Sequence, residues 1–192
     1  MIAQSIDVPI ALRSRLSANA LGLLSGVGPA ALLNEPMLGF IASRECPGHI
    51  LIETLDRVPQ WVRAGRVVVS GFHSPLEQQV LASLLRRDGS AVKVLARGLG
   101  RSGYRPTAEE REPLAAGRLL VLTAFPAGVT RTTRETSLAR NRLVLALATE
   151  HCIPYLSADS PLRAWVPSIA LPVLAARQRL GQTSRQAKCR DE

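Results

Sequence analysis

The sequence predicts a three-layer α/β fold in which helices cover both faces of a mostly parallel β-sheet. Three observations lead to this prediction. Short β-branched or apolar runs alternate with segments of helical periodicity through the middle of the chain. Helix-capping patterns follow two of these runs, and glycines stand where helices should end. A chain of 192 residues, 46% of them hydrophobic, is also long enough to form one domain with a substantial core.

The predicted elements follow one another in strand–helix order. The predicted strands are 38–42, 67–70, 91–95, 119–122 and 153–156, and the predicted helices are 50–64, 75–87, 107–116 and 137–149. Pro59 is expected to kink or end the first helix, because proline lacks the N–H that a helix interior needs. Strands joined by helices pair in parallel, and such sheets bind ligands at the carboxyl ends of their strands.

The most informative stretch is Val67-Val-Val-Ser-Gly-Phe-His-Ser-Pro-Leu-Glu77. A strand ends at Ser70-Gly71, and four residues later Ser74 is placed to be the N-cap of a helix. Pro75 stands at the first helical position, and Glu77 completes a Ser-x-x-Glu capping box. A helix N-terminus carries unpaired N–H groups and a partial positive charge, so we expect a phosphate to bind at this turn.

Charge and cysteine content restrict the class of protein. The formal net charge is +9, which suits a polyanionic partner such as a nucleic acid. All basic residues except Lys93 and Lys188 are arginines, and a GC-rich genome would produce the same bias without a functional cause. The three cysteines are far apart, which favours free thiols over disulfides or a metal site. No apolar run is long enough to span a bilayer and no export signal is visible, so we predict a cytoplasmic protein.

The ends of the chain are assigned separately from the sheet. Residues 1–36 are predicted to be a helical or linker segment, and residues 37–168 the α/β domain. Residues 169–192 are predicted to be a C-terminal segment with a basic, disordered tail.

Several basic and polar residues are predicted to lie at the carboxyl edge of the sheet. The candidate phosphate- or nucleic-acid-binding residues are Ser43, Arg44, Ser70, Gly71, His73, Ser74, Arg97, Arg105, Arg140, Asn141 and Arg142. Arg140 and Arg142 are predicted to lie in a first helical turn, where cations are disfavoured unless an anionic ligand or an acidic neighbour such as Glu135 is near. Tyr104 is the aromatic residue of the basic loop that is placed to stack on a base.

Catalysis has little support in the sequence. Glu77 is the evident candidate for a general base, but its capping role already explains it, and no nucleophile or partner acid is near it. No metal-ligand spacing is found. We therefore predict no catalytic residues, no metal and no cofactor.

The same residues, in the same order, resemble the Rossmann-like domain of the DNA-processing protein A (DprA, or Smf) family. That family's motifs are similar to Ile41-Ala-Ser-Arg44, to Ser70-Gly-Phe-His-Ser-Pro-Leu-Glu77, to Val92-Lys-Val-Leu-Ala-Arg-Gly-Leu99 followed by Tyr104-Arg-Pro106, to Gly117-Arg-Leu-Leu-Val-Leu-Thr-Ala-Phe-Pro126 and to Arg140-Asn-Arg142. The resemblance spans about residues 38–162. The family's Ser-Gly-Ser/Thr segment after strand five is reduced here to Ala158-Asp-Ser-Pro161, and no C-terminal winged helix is recognisable.

The resemblance implies a function as well as a fold. In that family the pocket binds single-stranded DNA and supports the loading of a recombinase, in a process that needs self-association. It therefore implies a DNA-binding protein with a recombinase partner, acting as a homodimer in recombination and transformation. The alternative is a protein that binds a nucleotide or a nucleotide derivative, or an enzyme like the related LOG proteins. LOG enzymes depend on Pro-Gly-Gly-x-Gly-Thr-x-x-Glu, and no such run occurs here.

Overall fold

The computed structural model describes residues 1–100 and 102–164, which form a seven-stranded sheet covered by helices on both faces. The strands are β1 (Gln4–Ser5), β2 (Ser25–Val27), β3 (Met37–Phe40), β4 (Val67–Ser70), β5 (Ser90–Val94), β6 (Leu119–Thr123) and β7 (Glu150–Cys152). The α-helices are α1 (Ile10–Arg13), α2 (Ala18–Leu23), α3 (Gly48–Leu55), α4 (Val58–Arg63), α5 (Pro75–Leu85), α6 (Ala108–Ala115) and α7 (Arg134–Leu147), and short 3-10 helices cover Ala30–Asn34 and Pro161–Ala164. The predicted three-layer, mostly parallel α/β fold is confirmed.

The order of the strands across the sheet is β1-β2-β6-β5-β4-β3-β7. The five strands from β6 to β7 are parallel, and β1 and β2 are antiparallel additions at one edge. Alternate side chains of each strand point to opposite faces. Val67 and Val69 therefore pack with Leu143 of α7, whereas Val68 packs with Leu76 and Leu84 of α5. The apolar run that predicted the central strand thus supplies both halves of the core.

The N-terminal segment contributes to the sheet in a way that the sequence did not reveal. Besides two short helices it contains β1 and β2, and β2 pairs with β6 in the register Gly26↔Leu122. A Cβ at Gly26 would press on the backbone carbonyl of Val121, so the close approach of the two strands requires glycine there. Strands of two and three residues are too short to show a period-two pattern. The predicted tail 169–192 lies outside the described residues.

Two predicted helices begin or end elsewhere. The segment 50–64 forms two helices, and Pro59 is the second residue of α4. The N–H groups of the first helical turn have no partner within the helix, so proline is tolerated there. Helix α7 begins at Arg134, three residues before the predicted start, because Thr133 is its N-cap and accepts a hydrogen bond from the N–H of Thr136.

The last strand is also displaced from its predicted position. It covers Glu150–Cys152 rather than the apolar run 153–156, and it pairs with β3. The apolar run continues alongside the extension of β3, where the N–H of Ser43 donates to the carbonyl of Tyr155 at 3.1 Å. It follows that the loop after β7 is tied to the end of β3.

A buried ion pair anchors the loop between β5 and α6. The Nζ of Lys93 donates to Glu110 Oε1 at 2.6 Å, and the hydroxyl of Tyr104 donates to Oε2 at 2.8 Å. Only 3% of the Glu110 side chain is exposed. Burial alone would raise the pKa of Glu110, but hydrogen bonds from Lys93, the N–H of Thr107 and Tyr104 outweigh it, so the pKa lies below its ordinary value.

Neither the two described cysteines nor the described helices indicate a further function. Cys46 and Cys152 are free and partly buried, and burial raises the pKa of both thiols, that of Cys152 to about 11. Cys189 lies outside the described residues. Within the described ranges, none of the helices combines the length and hydrophobicity that crossing a bilayer requires.

Candidate functional site

A cleft of about 600 Å³ opens at the carboxyl ends of β3 and β4. It lies where the strand order reverses, because β4 follows on one side of β3 and β7 pairs with the other side. Sheets of this kind bind ligands at such a reversal point. The lining residues come from the loop after β3, the start of α5, the first half of α7 and the loop after β7.

The start of α5 is closed by its own capping box. Ser74 Oγ accepts from the N–H of Glu77, and the Glu77 carboxylate accepts from the N–H groups of His73 at 2.7 Å and Ser74 at 3.2 Å. Its other oxygen accepts from the N–H of Ala42 at 3.1 Å and so links the end of β3 to this helix. Two of the N–H groups at this turn, those of His73 and Ser74, are therefore bonded to the carboxylate of a buried glutamate.

Ser70 and Gly71 lie beneath the cleft and do not line it. Ser70 is fully buried, and its hydroxyl accepts from the N–H of Phe72 at 3.2 Å. Phe72 has a φ of +48°, a left-handed conformation that reverses the chain between β4 and α5. A Cβ at Gly71 would overlap the guanidinium of Arg140, so only glycine leaves room for that side chain. Ser70 and Gly71 thus determine the shape of the floor.

Arg140 is the buried cation of the cleft. Only 7% of the residue is exposed, and its Nε donates to Asn141 Oδ1 at 2.7 Å. Burial lowers the pKa of Arg140, and the negative charge of Glu77 partly offsets that effect. Because α7 begins at Arg134, Arg140 stands in the second turn, and the prediction that it lies in a first turn is wrong. What makes it unusual is its burial rather than the helix dipole.

Ser43, Arg44 and His73 also line the cleft. Arg44 and His73 are exposed there, as an open ligand site requires. The hydroxyl of Ser43 is already engaged, since it accepts from the N–H of Ser157 at 2.9 Å and lies 3.4 Å from the Ser157 hydroxyl. Ser43 therefore holds the loop after β7 in place.

The remaining predicted residues lie away from this cleft. Arg97, Arg105 and Arg142 are exposed but are not among the lining residues. Tyr104 is 6% exposed and its hydroxyl is bonded to Glu110, so the prediction that it stacks on a base is wrong. Its aromatic ring belongs to the core between the sheet and α5.

Comparison with known proteins supplies the family. The sequence model of the DNA recombination-mediator protein A family matches residues 5–158. The chain belongs to this family. No curated protein sequence matches it significantly.

Two solved structures of DNA processing protein A (DprA) share the fold. The structure from Streptococcus pneumoniae is 23% identical with a TM-score of 0.66 over 88% of this chain and 61% of that one. The structure from Helicobacter pylori, described as showing a unique single-stranded DNA binding mode, is 21% identical with a TM-score of 0.65, over 82% of this chain and 71% of that one. The present chain thus spans about three-fifths of the length of the streptococcal protein.

Sequence reasoning missed several of the residues that line the cleft. Arg134, Ser137 and the Thr132–Thr133 pair line it from the start of α7, and Asp159 and Ser160 line it from the loop after β7. The pattern Thr133-x-x-Thr136 resembles a capping box and was the signal for the true helix start. Asp159 was noted only within Ala158-Asp-Ser-Pro161, the segment in which the chain departs from the family's motif. The described residues contain no group of three or more potential ligands that could hold a metal ion.

Proposed function

We propose that this protein binds single-stranded DNA without catalysing a reaction on it, and that the cleft holds the sugar–phosphate backbone. The observation that carries the proposal is the state of its arginines. Arg44, Arg134 and Arg140 line one cleft, and among the described residues none of the three lies within 4 Å of a carboxylate. Guanidinium groups without an ion pair are suited to phosphate oxygens.

The proposed roles follow from the depth of each side chain. Arg140 lies deepest and binds a phosphate that enters the cleft. Asn141 orients the guanidinium by accepting a hydrogen bond from Arg140 Nε. Arg44 and Arg134 are exposed and bind phosphates nearer the mouth. Ser70, Gly71 and Ser74 act by shaping the floor, and His73 contacts the strand at the rim.

Exposed arginines outside the cleft extend the track. Arg97 and Arg105 belong to the loop after β5, and Arg142 lies on the exposed side of α7. A strand that leaves the cleft toward these residues gains further phosphate contacts, so affinity rises with strand length.

A second candidate is the binding of a single nucleotide. A cleft of about 600 Å³ has the volume of a small-molecule site, and one nucleotide fits in it. A nucleotide-processing enzyme has less support, because both oxygens of Glu77 accept backbone hydrogen bonds and its carboxylate is held at the helix start. The family membership and the net charge of +9 favour the DNA strand.

Fluorescence anisotropy with labelled oligo-dT strands of increasing length separates the two candidates. A backbone track gives affinity that increases with length and falls steeply with salt, with little competition from free nucleotide. A nucleotide site is saturated by a single nucleotide, and a free mononucleotide displaces the labelled strand from it. If neither strand nor nucleotide bound, both candidate functions would be rejected while the fold remained.

Partners and location are proposed on family membership alone. A recombination mediator acts with a recombinase on DNA, so we expect a recombinase partner, a homodimer and a role in recombination and transformation in the cytoplasm. Light scattering of the purified protein, alone and mixed with the host recombinase, tests both associations. A monomer that forms no complex with the recombinase would contradict them.

A further inference from the structure

The loop after β7 is a rigid part of the cleft. Residues 157–160 form a β-turn in which the N–H of Ser160 donates to the carbonyl of Ser157 at 3.1 Å. Ser43 ties Ser157 to the end of β3 at 2.9 Å. Arg163 donates to the carbonyls of Leu156 and Ser157, and Leu162 is buried in the core. These contacts hold the turn against the end of β3 and the core.

Asp159 is the third residue of this turn, and it lines the cleft together with Arg134. The Ser157 hydroxyl, the backbone N–H of Asp159 and the charge of Arg134 all lower the pKa of the Asp159 carboxyl. The side chain is thus ionised at neutral pH and can only accept hydrogen bonds. A carboxylate at this place repels the phosphates that the arginines attract.

The chemistry of DNA limits what such a carboxylate can contact. Within a DNA strand, phosphate and deoxyribose offer acceptors but no donors, because the 2′-hydroxyl is absent. The hydrogen-bond donors of an internal nucleotide are the N–H groups of its base. A carboxylate among arginines therefore suits a nucleotide whose phosphate contacts arginine and whose base contacts the acid.

We infer that Asp159 recognises the edge of one unstacked base in the bound strand, and that guanine fits it best. This inference rests on the proposed single-stranded DNA binding. Guanine presents two adjacent donors, N1–H and the N2 amino group, which match the two oxygens of one carboxylate. Thymine presents a single N3–H between two carbonyl oxygens that repel the acid. Ser160 also lines the cleft and offers a hydroxyl for a remaining acceptor of the base.

The test compares strands that differ at one nucleotide. Labelled oligo-dT strands carrying a single central dG, dC, dA or abasic site are titrated by anisotropy against the wild-type chain and Asp159→Asn. Glu45→Gln is the matched control, because Glu45 is an exposed acid near Arg44 that does not line the cleft. Melting temperatures establish that each variant is folded.

We expect the wild type to bind the dG strand about tenfold more tightly than the all-dT strand, as one good bidentate pair allows. Asp159→Asn should remove that preference while leaving binding to the all-dT strand unchanged or tighter, and Glu45→Gln should keep the preference. If Asp159→Asn tightened binding to every strand equally, the abasic strand included, Asp159 would be a repulsive charge only and the inference would fall. Binding without any base preference would also overturn it and leave the proposed function intact. No binding to any strand would overturn both.

Discussion

Two cations with little solvent exposure have very different partners in this protein, and 19% of the Lys93 side chain and 7% of Arg140 are exposed. Lys93 has a carboxylate oxygen of Glu110 at 2.6 Å and lies close to the hydroxyl of Tyr104. Arg140 is more deeply buried, yet its guanidinium donates to an amide oxygen, that of Asn141 at 2.7 Å. The negative charge nearest to it belongs to Glu77, which acts without an ion-pair contact.

We infer from this difference that the Lys93–Glu110 pair stabilises the fold and that the Arg140 site binds a ligand. Burying a charge costs free energy unless it is paired, so a paired cation is complete within the protein. A buried cation at a cleft without an ion pair has lost water and gained no anion in return. We propose that Lys93 stabilises the loop before α6, whereas Arg140 is available to bind a phosphate.

Breaking the ion pair between Lys93 and Glu110 should have the largest effect on stability. Glu110→Gln leaves Lys93 without a carboxylate and weakens the capping box of α6, so we expect a loss of about 3 kcal/mol in the free energy of unfolding. For a chain of this size that lowers the melting temperature by roughly 6–12 °C. Calorimetry measures it, with Glu109→Gln on the exposed side of the same helix as the control, expected within about 0.5 kcal/mol of the wild type. An unchanged melting temperature in Glu110→Gln would show that the pair is not structural.

Removing Arg140, the cation without a carboxylate partner, should affect DNA binding rather than stability. Arg140→Gln should weaken binding to single-stranded DNA by about tenfold to a hundredfold, the range expected for losing charge-assisted hydrogen bonds. Its stability should be unchanged or higher, since the mutation removes a buried charge and leaves Glu77 satisfied by three backbone N–H groups. Anisotropy and thermal unfolding are measured on the same samples. Arg63→Gln, on the exposed surface of α4, is the control. A large loss of stability with normal binding would reverse the comparison.

A smaller change at the floor of the cleft tests whether the position of Arg140 matters for binding. Gly71→Ala places a methyl group where the Arg140 guanidinium lies, so that flexible side chain must move. We expect a several-fold loss of DNA affinity, on the order of 1 kcal/mol, with little change in stability. Gly48→Ala is the control, because a Cβ there meets nothing within 4 Å. Normal DNA binding by Gly71→Ala would mean that the position of Arg140 is unimportant.

The smallest effect is a pH dependence of stability at acid pH, to which the Lys93–Glu110 pair contributes and Arg140 does not. The pKa of Glu110 is lowered on folding, so its contribution is present above the ordinary carboxyl pKa of 4.5 and is lost as the pH falls below that value. Urea unfolding of the wild type should lose stability below pH 4.5 more steeply than Glu110→Gln does. Parallel curves for the two proteins would indicate that the ion pair does not depress this pKa.

The sequence was most informative where structure is local. The strand 67–70, the N-cap Ser74 and the capping box with Glu77 depend on neighbouring residues, and all three were confirmed. The capping box also means that the N–H groups of His73 and Ser74, just before the helix, donate to the Glu77 carboxylate.

Features that depend on distant pairing were not predictable in the same way. Strand β2 exists because Gly26 can approach Val121, and β7 because Glu150–Cys152 pairs with β3, and neither has a local signal. The burial of Arg140 needs Gly71, which lies 69 positions earlier in the chain. Asp159 lies at the cleft because Ser43 and Arg163, both distant from β4 in the sequence, hold its turn.

The most direct test of the account is the salt dependence of single-stranded DNA binding by Arg44→Gln/Arg140→Gln compared with the wild type and Arg63→Gln. Each phosphate contact adds about 0.7 to the slope of log affinity against log salt for a single strand. We predict that the double variant binds more weakly and that its slope is smaller by about 1.4, the contribution of two contacts. If affinity and slope were both unchanged, the cleft between β3 and α7 would not be where the strand binds.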